Sequence, residues 1–422
     1  MSIVPSIKRT PTLLIILSAI YMFLSYFEIY LPGMAGPSTR YLIFVLSLLF
    51  LYSFHGKVNL TVPILCIVLW FVYKVISIAW SNQSNNDVSR TILSQLGMIL
   101  LFVSLCGKQH DKKLLVVLVQ TNYWSSFLFG LLTLIFHKSY ISEKFVARQV
   151  LTLFGRQNDP NNCAVFLAIG IAIAAYSLLV YKKMRIFSIV LILVNSYGIM
   201  LTGSRMGLVI LAVVALILFL LPDSSKTFEF KSFIQKTFIL ICVVAIGLWI
   251  INRFLPVASL SRLLAFDEYS EGSGRIEKWS YALSRVAERP FFGWGWGGYD
   301  FIGSVLHNTY LTILCDGGLV GLGLFVIPLF NVGFKHFKKR YLLGLLLLTV
   351  GLVAAFFLDA INKRFFWNTL MLSILLLENY ELSDSVFDIW PDRSEFLQRE
   401  ADSIEEEQES SEDIDLKAPK HV

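Results

Sequence analysis

Arg205, Arg275 and His307 are the residues of this chain best suited by type to do chemistry, and all three fall in connections on one side of a run of apolar segments. A guanidinium is a planar fork that meets phosphate oxygens two at a time. An imidazole titrates near neutral pH and accepts a proton when neutral. Two forks and one base make a set for holding a phosphorylated leaving group while a hydroxyl attacks. His307 stands out among six histidines. His55, His110 and His336 fall in connections on the opposite side and His421 in the terminal tail, where solvation is expected, while His137 neighbours Lys138 at a loop start. His307 opens a helix, with Asn308 and Tyr310 beside it and Asp316 about two turns below. Partial burial near a positive helix start favours the neutral imidazole. The competing reading is a helix-capping or interfacial histidine.

The elements that must position these groups are membrane helices. With 56% apolar and 16% charged residues and a mean hydropathy of +0.66, the 422-residue chain is excluded from the range of soluble globular proteins. Segments of spanning length are expected near 11–30, 38–54, 60–79, 92–106, 113–136, 162–181, 185–202, 204–221, 235–254, 309–332, 340–359 and 364–379. The expectation is an all-α polytopic protein with about twelve crossings, the fourth being short. The first segment lacks a small-residue cleavage site and reads as a retained signal anchor.

Charge sets the orientation. With Lys8 and Arg9 inside, the alternate connections holding Lys57, Lys108, Lys112, Lys113, Lys182, Lys183, Lys335, Lys338 and Lys339 also fall inside, the positive-inside bias. Both termini are then cytoplasmic. Inner connections are dominated by lysine and outer ones by arginine, so the outer face is furnished for an anion. Against this stands the reading that outer arginines reach lipid headgroups or pair with Glu271, Glu277 and Glu288. The organisation expected is membrane helices over 1–136, an outer loop over 137–161, helices over 162–254, a large outer loop over 255–308, helices over 309–379 and an acidic, disordered tail over 380–422.

Two outer connections carry detail. The first ends in Arg156-Gln157-Asn158-Asp159-Pro160-Asn161-Asn162, a turn-rich entry into a helix that Asp159 or Asn161 would cap, a role preferred over substrate contact. The second offers Gly272-Ser273-Gly274 as a breaker, then an amphipathic helix from Arg275 to Arg289 with Trp279, Leu283 and Val286 on one stripe, stopped by Pro290. Such a helix would lie on the membrane surface over a cavity mouth. The following Gly293-Trp294-Gly295-Trp296-Gly297-Gly298-Tyr299 reads equally as an interfacial belt or as rings for stacking on sugars.

Several chemistries lack their residues. No outer His, Cys and Asp set has metal-ligand spacing, no outer Asp-x-Asp pair is present, and no glycine loop precedes a lysine as phosphate loops require. No metal or other cofactor is expected. The five cysteines are scattered in or beside spans and imply no disulfide framework. No internal repeat of the transporter kind stands out, and intramembrane charge is confined to Glu28, Lys74, Asp316 and Asp359.

Thr202-Gly203-Ser204-Arg205-Met206-Gly207, Gly272-Ser273-Gly274-Arg275 with Trp279, Gly293-Trp294-Gly295, His307-Asn308-Thr309-Tyr310 and Gly317-Gly318-Leu319 with Gly321 follow one another in order. Together with Asn158-Asp159-Pro160-Asn161 they resemble the bacterial O-antigen ligase and polymerase superfamily. The likeness covers roughly residues 150–335. No single motif is specific; their order and shared sidedness carry it. The resemblance implies a glycosyltransferase of GT-C type membrane architecture in the bacterial cytoplasmic membrane, taking glycan from undecaprenyl diphosphate on the outer face. It implies that Arg205 and Arg275 hold the diphosphate and that His307 deprotonates or orients the acceptor hydroxyl, with Arg156, Asn161, Asn308 and Tyr310 as secondary candidates.

The partners implied are the undecaprenyl diphosphate linked oligosaccharide, a glycan or lipid acceptor, membrane lipids and polysaccharide export proteins, with no nucleic acid. Polymerisation of capsular, exopolysaccharide or O-antigen repeats is the preferred reading and ligation to lipid A core the alternative, with protein glycosylation third. A lipid-linked sugar transporter predicts charges along a path across the membrane. A non-catalytic scaffold leaves the outer arginines without a role.

Overall fold

Helix α1 (Thr12–Phe27) shows which solvent the helices are built for. Its exposed stripe is Leu13, Ile16, Ile20 and Phe23, while Ser18, Tyr21 and Ser25 are buried. A helix in water has the opposite arrangement; apolar residues outward and polar ones at helix contacts is the pattern of a helix in lipid. The Tyr21 hydroxyl donates to Asn368 Oδ1 at 2.8 Å and Asn368 Nδ2 donates to Ser25 Oγ at 3.0 Å. These bonds tie the first helix to the last described one.

The computed structural model describes residues 10–31, 37–53, 58–81, 86–107, 110, 112–140, 148–181, 184–220, 234, 253, 275–298 and 305–379, with 37–40 and 86–90 described in backbone only. After α1 come α2 (Pro37–Ser53), α3 (Val62–Ile76), α4 (Asn86–Cys106), α5 (Lys112–Phe136), α6 (Pro160–Tyr176), α7 (Arg185–Leu201), α8 (Arg205–Leu220), α9 (Arg275–Glu288), α10 (Thr309–Lys339), α11 (Leu342–Phe357) and α12 (Arg364–Glu378). Four helical stretches are long and apolar enough to cross a membrane: Val62–Trp80, Lys112–Phe136, Pro160–Tyr181 and Thr309–Lys339. The shorter apolar helices include α1, α7, α8 and α11. The protein is helical and of multi-pass membrane type. Its twelve described helices are not the twelve expected crossings, since α9 is the amphipathic segment; the crossing expected near 235–254, the Gly272-Ser273-Gly274 breaker and the tail lie outside the described residues.

Helix α6 is the hub. Pro160 at its first turn has no amide to leave unpaired, and the Asp159 carboxylate accepts from Asn161 N at 2.8 Å and Asn162 N at 3.3 Å, capping the start as expected. It is buried almost all round, packed by α5, α7, α8 and α11. A side chain at Gly170 would run into Ser126. Ser126 Oγ donates to Phe166 O at 2.9 Å, and Asn195 Nδ2 donates to Ser126 Oγ at 2.8 Å and Leu167 O at 3.1 Å. Small residues allow the backbones to approach and the polar group joins three helices, each such bond contributing about 0.6–2 kcal/mol in lipid.

Two features depart from the sequence expectations. The connection read as an outer loop over 137–161 contains a small antiparallel sheet of β1 (His137–Ser139), β2 (Gln149–Leu153) and β3 (Arg156–Gln157), with His137 opposite Leu151 and Leu153 opposite Arg156. His110 and His336, expected to be solvated, are fully buried. His336 Nε2 lies 2.8 Å from Ser373 Oγ, and His110 Nε2 lies 2.8 Å from Leu105 O. Both rings fill helix contacts that have no local signature.

Candidate functional site

The site is built from the ends of elements. Arg148, just before β2, is buried; its Nε donates to Thr202 O at 2.7 Å and its Nη2 to Asn161 Oδ1 at 2.9 Å. Ser204 Oγ donates to the same Asn161 oxygen at 2.9 Å. Asn161 therefore joins the capped start of α6 to the turn after α7. That turn needs Gly203, whose φ is 58°. Ser204 Oγ then accepts from Gly207 N at 3.3 Å, so Arg205 leaves the first position of a capped helix, where the backbone dipole also favours an anion.

Helix α9 brings the second arginine. Trp279, Ala282 and Val286 form an apolar stripe against Leu306, Leu311 and Cys315. The Trp279 ring meets Phe356 edge-on at 5.7 Å, and its Nε1 donates to Leu306 O at 2.9 Å. Leu283, expected on that stripe, is instead exposed together with Ile276. The helix runs Arg275–Glu288, one residue short of the expected end, and Arg275 is its first residue.

His307 sits at a left-handed φ of 52°, a strained setting for a residue with a side chain. Its neighbours hold it there. Leu306 O accepts from Trp279; Asn308 caps α10 by accepting from Leu311 N at 3.0 Å; Thr309 Oγ1 donates to Leu358 O at 2.7 Å and accepts from Ala360 N at 2.8 Å. The imidazole pKa is pushed below the ordinary histidine value, first by burial and then by the Arg275 charge, with Asp159 and Asp359 opposing and Lys278 adding to the depression. Arg275 is lowered from its usual value by burial and by Arg148, with Asp159 opposing. Arg275 and Asp159 thus act on His307, and Arg148 and Asp159 on Arg275, and the depressed pKa favours the neutral imidazole.

Of the secondary candidates, Asn161 is at the centre of this cluster and Asn308 is the helix cap. Tyr310 turns away: its hydroxyl donates to Leu352 O at 3.0 Å and its ring meets Phe325. Arg156 is exposed at the end of the β2–β3 hairpin. Sequence reasoning missed Arg148, one outer arginine among many with no motif around it. It also preferred capping to substrate contact for Asp159 and counted Asp359 only as a sparse intramembrane charge.

The glycine and tryptophan segment also finds a different use. Helix α10 is broken at Gly318, which has φ 61° and ψ −160°. The segment threads the break: Trp294 N donates to Cys315 O at 2.8 Å, Gly295 N to Asp316 O at 2.9 Å, Leu319 N to Pro290 O at 2.8 Å and Val320 N to Phe291 O at 3.1 Å. Backbone groups released by the break are thereby paired, as a non-aqueous setting demands. Trp294 is held between Arg285 and Arg289, each guanidinium 4.0 Å from its ring centroid, and Arg285 also pairs with Glu288 at 2.7 Å. Trp296 is buried beneath Lys74. These indoles serve internal packing, and neither is placed as a platform for sugar. Tyr299 lies outside the described residues. Among the described residues no group of His, Cys, Asp or Glu is arranged to hold a metal ion.

A family model described as O-antigen ligase matches residues 187–326, from α7 into α10, a stretch that contains Arg205, Arg275 and His307. The match agrees with the superfamily resemblance carried by the motifs. No curated protein matches the chain.

Proposed function

We propose that this chain, whose residues 187–326 carry the O-antigen ligase domain, is an inverting glycosyltransferase. It moves glycan from undecaprenyl diphosphate to an acceptor hydroxyl at the outer face of the bacterial cytoplasmic membrane. What supports this most is the approach of His307, the partly buried Arg275, the buried Arg148 and a capped helix start from connections far apart in sequence.

In this reading the acceptor hydroxyl gives its proton to His307 as its oxygen attacks the anomeric carbon from the side opposite the diphosphate. The bond between that carbon and the phosphate oxygen breaks, and the electron pair leaves with the diphosphate. The growing negative charge falls to Arg205 and Arg275, with Arg148 close by; a preorganised cation stabilises such charge strongly in a site shielded from water. Because the leaving group is a stable anion, it has no need of a proton donor. The reading therefore expects transfer without an added divalent cation. Asp159 balances the guanidiniums before donor arrives and repels a second anion.

Polymerisation of lipid-linked repeats is preferred because nothing in the sequence marks a lipid A core acceptor; the family description favours ligation as the second reading. The test is purified protein in nanodiscs with undecaprenyl diphosphate oligosaccharide, without metal, products resolved on a gel. A ladder supports the polymerase, and product only on addition of lipid A core supports the ligase. Arg205→Ala, Arg275→Ala and His307→Ala are each expected to abolish transfer while inserting normally. Normal product from all three would remove the catalytic reading.

A further inference from the structure

The hairpin of β2 and β3 ends in a feature that the proposed reaction does not use. Leu153 pairs with Arg156, so Phe154 and Gly155 alone make the turn, at φ 51° and 72°. Two positive φ values in a two-residue loop are those of a type I′ turn, which Asn-Gly adopts freely and a bulky side chain does not. The Phe154 ring is 73% exposed and belongs to none of the apolar clusters of the described residues. An added Cβ at Gly155 would meet nothing within 4 Å. A strained aromatic left out of the core points to a contact outside the chain.

The strand register shows where that turn lies. Helix α5 is a candidate membrane span of 25 residues. It is about 37 Å long against an apolar bilayer core of about 30 Å, so its ends reach the headgroup layers. Ile135 and Phe136, its last two residues, are both exposed, an apolar helix end in lipid. Strand β1 follows directly, with His137 Nδ1 3.1 Å from Thr133 O. Strand β2 is antiparallel to β1 with Leu151 opposite His137, so it runs on past the start of β1 and back toward α5, which it packs against. The three residues after Leu151 carry the chain about 10 Å farther that way. The turn is thereby directed back to the bilayer interface, while Ser139 and Gln149 mark the end of the sheet away from it.

Both roots of the hairpin belong to the candidate site. Arg148, directly before β2, bridges Thr202 O and Asn161 Oδ1. Asp159, two residues after β3 ends, caps α6. Gln157 Nε2 donates to Ser139 O and to Thr152 Oγ1, each at 2.9 Å, so the three strands are tied together.

We propose that the Phe154–Arg156 turn is an interfacial anchor whose partner is the phospholipid layer on the site's side of the membrane. The Phe154 ring enters the boundary between headgroups and acyl chains, and Arg156, exposed beside it, reaches lipid phosphate. The tip offers one ring and one guanidinium, the amphipathic pair of an interface. It is directed away from the water in which a glycan chain or a soluble protein would lie. Anchoring fixes the depth of the sheet and, through it, of Arg148. The benefit to turnover rests on the proposed function, because a lipid-linked diphosphate lies at the level of the headgroup phosphates; the anchoring itself does not.

The test uses the full chain in nanodiscs of phosphatidylethanolamine and phosphatidylglycerol, without donor. The photoreactive analogue p-benzoylphenylalanine replaces Phe154, Phe136 or Ser139, and adducts are identified by mass spectrometry. Phospholipid adducts are expected at positions 154 and 136 and not at 139. A position 154 that yields no lipid adduct overturns the anchor, as does one that reacts only with another polypeptide or with added oligosaccharide. Equal lipid yield at 139 and 154 overturns the depth assigned to the turn. Phe154→Asn removes the ring and suits the left-handed turn, so it should melt no lower than wild type. With donor present its KM is expected to rise about threefold while kcat is kept. An unchanged KM would overturn the depth-setting role and leave the anchor. Absence of transfer by the wild-type chain would instead defeat the proposed function and leave the lipid adduct standing.

Discussion

Trp279 Nε1 donates to Leu306 O at 2.9 Å, which fixes the helix begun by Arg275 one residue before His307. An arginine and a histidine separated by a long outer segment in sequence are thereby held by one hydrogen bond and one apolar stripe. Trp279→Phe keeps most of the ring contact with Phe356 and removes the donor. A hydrogen bond of this kind contributes about 1 kcal/mol, so turnover is expected to fall about fivefold with insertion unchanged. Single-turnover transfer measured on both proteins decides it; an unchanged rate would mean that α9 is held by packing alone.

The depressed titration of His307 fixes the direction of the pH dependence. Burial and Arg275 disfavour the charged ring, so the base is available at pH values where an ordinary histidine is already protonated. The acid limb of the rate with subsaturating donor is expected to lie below the pH at which an ordinary histidine titrates. A profile between pH 4.5 and 8 checks this, and an acid limb centred above 7 would contradict the assigned base.

Arg148 is expected to matter both for stability and for turnover. Truncation to Ala leaves Thr202 O buried without its donor, a loss of about 1–3 kcal/mol, and releases Asn161 from the sheet. Arg148→Lys retains the charge but not the two-pronged bridge. Thermal unfolding in detergent should rank wild type above Lys above Ala, and transfer should fall more than tenfold in Ala. Equal stability in all three would show that the bridge is incidental.

How much of this was legible in sequence can be argued residue by residue. Arg205, Arg275 and His307 were singled out because charge bias and hydropathy, summed along the chain, put them on one side, and such sums survive local errors. Arg148 was invisible because its importance comes from Thr202 and Asn161, which the fold alone brings to it. His336 was misread because its lysine-rich surroundings suggest solvent, whereas Ser373 on another helix takes the ring inward. Trp294 and Trp296 read equally as an interfacial belt or as sugar platforms because sequence shows a ring but not what lies against its face. The Gly317-Gly318 pair was visible, yet read as part of one span. Nothing near it announces that residues 290–296 fill the break.

That break supports the final prediction, a contrast within one helix. Gly318 holds φ 61°, and an added Cβ would meet the Phe291 carbonyl group. Gly318→Ala therefore combines backbone strain of about 1–3 kcal/mol with a collision that displaces the segment paired across the gap. Gly323, farther along α10, has only Ile327 within van der Waals reach, so Gly323→Ala should be neutral or stabilise the helix by up to about 1 kcal/mol. Thermal unfolding of the two variants in the same detergent gives the comparison. Gly318→Ala is expected to melt several degrees below wild type and to lose transfer, because the displaced backbone carries Trp294 and Trp296 away from α10. Gly323→Ala should melt at or above wild type with transfer intact. Equal behaviour of the two would mean that α10 runs unbroken through Gly318 and that the aromatic segment is seated by side chains alone.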